Sequence, residues 1–198
     1  MTTDLPLRCA CGKLRGTALG VSPRTGTRVV CYCGDCQAFA RFLGRTDIMD
    51  ASGGTDIFQM PPTRLRITEG ADALRCMRLS EKGLFRWYCG ECKTPVGNTM
   101  PGVPFVGVIT TFMDHTGGGR ARDEALGKPI AHIQTKSALG AVPERGIASL
   151  VRFGARVVTL LAKWWVTGAG SPSPFFEEKT RAPRAEVRVL TAEERRAL

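Results

Sequence analysis

The sequence predicts a mainly β domain organised around clustered cysteines, with a C-terminal helical extension. Three observations lead there. Residues before about 145 are rich in Gly, Pro and Thr and break into short alternating runs, the pattern of short strands joined by turns. All eight cysteines precede residue 93. From Ile147 onward the apolar positions change to steps of three and four, the period of a helix. The domain is drawn over residues 1–142 and the extension over 143–198.

At 198 residues, 43% hydrophobic and 23% charged, the chain is of ordinary globular composition, which excludes wholesale disorder, collagen-like repetition and a multi-span membrane protein. Its formal charge is +10, and the basic excess is denser after residue 144. Aromatics make up only 7%, without basic–aromatic interleaving, so charge alone does not point to nucleic acid. The opening Met1-Thr2-Thr3-Asp4 carries an early acid and no apolar run, unlike a secretory signal. A reducing cytoplasm is the expected location, and there clustered thiols serve as metal ligands or catalysts more than as disulfides.

Taken in order, the cysteines fall into Cys9-Ala10-Cys11, Cys31-Tyr32-Cys33-Gly34-Asp35-Cys36, a lone Cys76, and Cys89-Gly90-Glu91-Cys92. One C-x-x-C is a weak signal. Three close-spaced clusters are a strong one, because zinc takes four ligands in a tetrahedron and thiolates on tight turns converge on one ion. Gly12, Gly34 and Gly90 beside the groups read as turn-formers. Between the groups, Arg64–Thr68 and Phe105–Ile109 alternate as strands, and Asp114–Arg120 reads as a loop.

Two ligand partitions are chemically sensible. In one, Cys9, Cys11, Cys89 and Cys92 close a four-thiolate structural site, while Cys31, Cys33 and Cys36 hold a second zinc with an open fourth position. In the other, Cys76 completes the second site and both are structural. Cys76 sits in the strand-like Leu74–Leu79 and reads as a small buried hydrophobe. A closed site would matter for folding: apparent zinc binding of roughly 10–16 kcal/mol rivals a whole domain's stability.

In the extension, Ile147, Leu150, Val151, Gly154, Val157, Val158, Leu161 and Trp165 line one helix face over about 145–167. Arg152, Arg156 and Lys163 lie off that stripe and argue against a membrane span. Packing on the cysteine-bearing part or on a second copy, as a homo-oligomer, is the leading expectation, ahead of a helix lying on a membrane surface. Gly168–Pro174 reads as a linker, and Thr191-Ala192-Glu193-Glu194 as a capping box opening a short terminal helix.

The cysteine spacing, with Ser80–Val96 running through Arg86-Trp87-Tyr88-Cys89-Gly90-Glu91-Cys92-Lys93-Thr94-Pro95 and with Pro129–Ile133, resembles the glutathione-dependent formaldehyde-activating enzyme family, which also includes centromere protein V. The resemblance covers about residues 7–135. Tyr32 stands where the family often has His, and Lys93 where it usually has Gly. The resemblance implies a β-tent of antiparallel sheets, a structural zinc on Cys9, Cys11, Cys89 and Cys92, and a catalytic-type zinc on Cys31, Cys33 and Cys36. It also implies carbon–sulfur lyase chemistry, the joining of formaldehyde to glutathione.

Three thiolates on Zn²⁺ leave a charge of −1, a poor Lewis acid but a good host for a soft ligand such as a thiol. Glutathione or a similar small thiol is therefore the expected partner, its carboxylates suited to Arg41, Arg45, Arg86 or Lys93, which lie near the cysteine groups in sequence. Asp35 reads as closing its turn, and His132 as a packed strand residue, with His115 in a polar loop. The rival reading from another class is a non-catalytic, zinc-stabilised binding module.

Overall fold

The short alternating runs form strands where apolar side chains can turn inward at every second residue. In β1 (Thr3–Arg8) the buried positions are Leu5 and Leu7, with exposed residues between them. The computed structural model describes residues 1–113, 120–143 and 146–198. After β1 come β2 (Arg15–Val21), β3 (Thr27–Cys31), α1 (Gly34–Phe42), β4 (Thr55–Met60), β5 (Leu65–Glu69) and β6 (Leu74–Arg78). Then follow β7 (Phe85–Cys89), β8 (Pro95–Thr99), β9 (Val106–Ile109), α2 (Arg120–Leu126), β10 (Ala131–Ile133), α3 (Ile147–Val166), β11 (Val187–Val189) and α4 (Ala192–Arg196). The loop expected at Asp114–Arg120, with His115, lies outside the described residues except for Arg120, which begins α2.

The strands make a three-stranded sheet, β1-β2-β5, and an eight-stranded one ordered β10-β3-β4-β9-β8-β7-β6-β11. Neighbours pair antiparallel except at the two outer rims, where β10 on β3 and β11 on β6 run parallel. The fold is mainly β, with few helices. All residues of β7 and β8 are buried, so these central strands lose the alternation that β1 keeps. The largest core joins Leu5 and Leu7 of the small sheet to Trp87, Val96 and Val108 of the large one.

The C-terminal extension returns to this core. Phe175, fully buried, lies 4.8 Å from the Trp87 ring centroid, and Phe176 meets Trp87 edge-on. β11 then pairs with β6, and Thr191 caps α4: its hydroxyl accepts from Glu194 N at 3.1 Å while the Glu194 carboxylate accepts from Thr191 N at 2.9 Å.

α3 forms where the periodicity places it, but only one flank of its stripe packs. Phe153 reaches the core under β3, Trp164 is buried, and Val157, Leu160 and Leu161 line an apolar recess of about 300 Å³ against Met100, Val103 and Phe105. Arg156 turns inward to donate to the Pro23 and Gly26 carbonyls. Ile147, Leu150, Val151, Val158 and Trp165 of the same stripe face outward. The apolar arc is wider than the body beneath it. No helix among the described residues is long and apolar enough to cross a membrane.

Candidate metal centres

The first cluster is built from two turns that belong to different sheets. Cys9 follows β1 directly, and Gly12, with φ of 74°, bends the chain so that Gly12 N donates to Cys9 O at 2.9 Å and Leu14 N to Cys9 Sγ at 3.2 Å. Cys89 ends β7, and Lys93 N donates to Cys89 O at 2.9 Å. The left-handed residue of this second turn is Lys93, with φ of 58°, rather than Gly90. Lys93 holds the conformation through Nζ, which donates to the Gly90 carbonyl at 2.7 Å.

The four sulfurs of Cys9, Cys11, Cys89 and Cys92 lie within 4.8 Å of one another. Cys9 Sγ and Cys11 Sγ are 3.4 Å apart, and Cys11 Sγ and Cys89 Sγ 3.9 Å. Four sulfurs set tetrahedrally about 2.3 Å from one centre would be about 3.8 Å apart, so the set fits a single ion. An all-sulfur donor set selects soft or borderline ions, zinc among them.

Thr94 locks the two turns together, a role that sequence reading missed. Its hydroxyl oxygen accepts from Ala10 N at 3.0 Å, across the two sheets, and lies 3.1 Å from Cys92 Sγ. Arg45 Nη1 donates to the same oxygen at 3.3 Å. Burial pushes the Cys92 thiol up, but hydrogen bonds from the Thr94 hydroxyl and from backbone outweigh it and bring it to about 6. The one available signal was the Thr-Pro following the last cysteine.

The second cluster is Cys31, Cys33 and Cys36, again with sulfurs mutually within 4.8 Å. Cys31 ends β3. Cys33 is the N-cap of α1, and its Sγ accepts from Cys36 N at 3.3 Å. A cap sulfur at a helix N-terminus meets the positive end of the helix, so this turn favours thiolate. Contacts with Cys31 and Cys36 hold Cys33 far below the ordinary thiol range, with the Arg86 charge adding to them; hydrogen bonding to its neighbours and burial push Cys31 up. Among the described residues no fourth Cys, His, Asp or Glu joins this group. Cys76 stands apart in β6, buried, its thiol pushed up by that burial to about 12.

The four basic residues near the cysteines in sequence separate in space. Arg45 and Lys93 belong to the four-sulfur end, Arg45 bound to Asp47 at 2.7 Å. Arg41 donates to the Leu198 carbonyl at 2.9 Å. Arg86 serves the triad. It is only 2% exposed, its guanidinium donates to Asn98 Oδ1 at 3.3 Å and lies over the Phe39 ring, and its charge helps hold Cys33 low; at Cys36 the same charge works against the Cys33 contact and burial, which leave that thiol raised. Asp35, rather than closing its own turn, reaches Arg195 at 2.9 Å and Arg86 at 3.8 Å. Were the triad to hold a dication as three thiolates, the net charge of −1 would face one buried guanidinium.

On the other side of the triad turn, Tyr32 donates its hydroxyl hydrogen to Asp50 Oδ2 at 2.9 Å and lies 3.1 Å from His132 Nδ1. Asp50 Oδ1 in turn accepts from Ser52 N and Gly54 N, which fixes the carboxylate. His132 sits in β10, beside β3, within this hydrogen-bonded chain.

Over residues 1–188 the chain matches the model of a protein family described as a family of unknown function, DUF6151. No curated protein matches. A crystal structure of a Rhodobacter sphaeroides protein, a structural-genomics target, is similar at 19% identity over 65% of this chain and 99% of that one, with a TM-score of 0.43.

Proposed function

The chain belongs to the family of unknown function DUF6151, and we propose that it is a two-zinc protein with carbon–sulfur lyase-like chemistry on a thiol adduct of formaldehyde or another small carbonyl. The observation that carries the reading is the contrast between the clusters: four sulfurs in one, three in the other, with no further Cys, His, Asp or Glu beside the three among the described residues. Four ligands close a zinc site, whereas three leave a place for an exogenous ligand.

Cys9, Cys11, Cys89 and Cys92 would hold the structural ion. They join a turn of the three-stranded sheet to a turn of the eight-stranded one, which supports reading the two sheets as slopes of a zinc-built β-tent. Cys31, Cys33 and Cys36 would hold the second ion. When bound there, zinc supplies a centre at which an entering thiol is kept as thiolate.

The chain's own residues set the conditions. Arg86 offsets the excess negative charge of the triad, and the α1 N-terminus steadies Cys33. In the forward direction the thiol sulfur bonds to the carbonyl carbon, the C=O π pair moves to oxygen, and the thiol proton ends on that oxygen. The reverse cleaves the carbon–sulfur bond and returns the proton. Glutathione or a similar small thiol is the proposed partner, and the cytoplasm, where such thiols are abundant and cysteines stay reduced, the proposed location.

The test is titration of glutathione into cobalt-substituted protein. The sulfur-to-cobalt absorption should change in the wild type and be lost from the triad in Cys31→Ser. A spectrum unchanged by glutathione favours a non-catalytic zinc-stabilised module instead.

A further inference from the structure

Helix α3 carries more apolar surface than the protein beneath it covers. Its inward flank, Phe153, Val157, Leu160 and Trp164, faces the sheet and the β8–β9 connection. Ile147, Val151, Val158 and Trp165 follow one another at steps of four, seven and seven, so they form one line along the helix. They are 80%, 64%, 67% and 71% exposed. Among the described residues nothing covers that line.

Next to that line round the helix come the exposed Ala148, Ala155 and Ala162, and beyond them basic and hydroxylated residues. Arg152, Thr159 and Lys163 stand exposed there, and α3 contains no Asp or Glu. We propose that this outward face docks the protein on the surface of a bilayer containing anionic lipid, with α3 lying in the plane of the interface.

Such a surface supplies what the helix offers to meet. The acyl boundary takes Ile147, Val151 and Val158, the headgroup level takes an indole such as Trp165, and anionic headgroups pair with Arg152 and Lys163. The chain's formal charge of +10 adds long-range attraction to the same surface. A second copy of this chain fits less well. A two-fold pairing along this line would offer Arg152 and Lys163 no acidic partner on the facing helix, since α3 holds no carboxylate.

The experiment uses the full-length protein with vesicles of equal parts phosphatidylserine and phosphatidylcholine, and with vesicles of phosphatidylcholine alone. The protein should sediment with the mixed vesicles, bind the neutral ones roughly tenfold more weakly or less, and release as salt rises. Tryptophan emission should shift to the blue on binding. Val158→Glu and Trp165→Glu should each weaken binding by about tenfold, the loss of one buried apolar side chain. Both positions are exposed, so unchanged circular dichroism should accompany the loss. Absence of sedimentation with mixed vesicles at low salt overturns the proposal. So does equal binding to neutral vesicles, or a dimer in light scattering that Val158→Glu converts to monomer, which would give the face to a second copy.

Discussion

Asp35 and Arg195, 160 residues apart in the chain, meet in a 2.9 Å hydrogen-bonded ion pair that ties α4 to the first turn of α1. The other oxygen of Asp35 faces the buried Arg86 at 3.8 Å. One carboxylate thus stands between the triad's buried cation and the end of the chain. The Arg195 pair is nearly half exposed on both sides and contributes at most about 1 kcal/mol, so its value lies in orientation.

Arg86→Met keeps an unbranched apolar stem, though a shorter and smaller side chain, and removes the charge. Zinc should then bind the Cys31–Cys36 site about 10- to 100-fold more weakly, the usual effect of losing a partner next to the ligands, while the four-sulfur site is unchanged. Competition with a chelator, read for each site separately, checks this. Equal weakening of both sites would show a global effect.

Metal content should divide between the clusters. Native mass spectrometry of the intact protein should give about two zinc ions per chain, and Cys31→Ser about one with the far-ultraviolet circular dichroism retained. Cys9→Ser should unfold, because it forfeits a site whose binding is comparable with the roughly 5–15 kcal/mol stability of a domain. If Cys31→Ser unfolds equally, the triad is structural.

Thr94 and Lys93 make opposite predictions within one turn. Thr94→Val leaves Ala10 N without its acceptor and should cost about 1–3 kcal/mol in thermal or denaturant unfolding. Lys93→Gly relieves a left-handed conformation at a lysine and should leave stability unchanged or raise it by up to about 1 kcal/mol, the strain outweighing the lost contact with Gly90.

Cys76 should resist alkylation in the folded protein at neutral pH. Burial raises its pKa in the fold to about 12 from the ordinary 9.0, so the native state holds the proton more tightly than the unfolded chain does. Its contribution to stability is therefore complete below pH 9 and lost as pH rises from 9 to 12. Cys76→Ala should flatten that alkaline arm of the stability curve. Rapid labelling of native Cys76 at neutral pH would contradict the buried placement.

The cysteine groups and the helical period were legible because each depends on spacing within a short window. Cys31, Cys33 and Cys36 share one turn, and Cys9–Cys11 and Cys89–Cys92 each sit in a turn whose outline the chain itself dictates. The short strands at Leu65–Glu69 and Val106–Ile109 were visible as alternation. Which flank of α3 would pack was not, since periodicity gives the arc of apolar positions but not the neighbour that covers it. In sequence Arg86 is one basic residue among four; its burial comes from its inward place on β7 together with Phe39 and Asn98, which belong to other elements. Thr94 joins Ala10 across 84 residues, beyond any local pattern. The three-residue strands β10 and β11 are too short to show a period.

Those two short strands have a consequence for life at high concentration. Each outer rim of the eight-stranded sheet ends in only three residues, laid parallel on a longer neighbour. A stray extended segment would find hardly more than one repeat of ladder to add to, and at β11 it would also meet the charged Arg188. The sheet thereby denies intruding chains a template, and runaway fibril growth has no foothold along its margins.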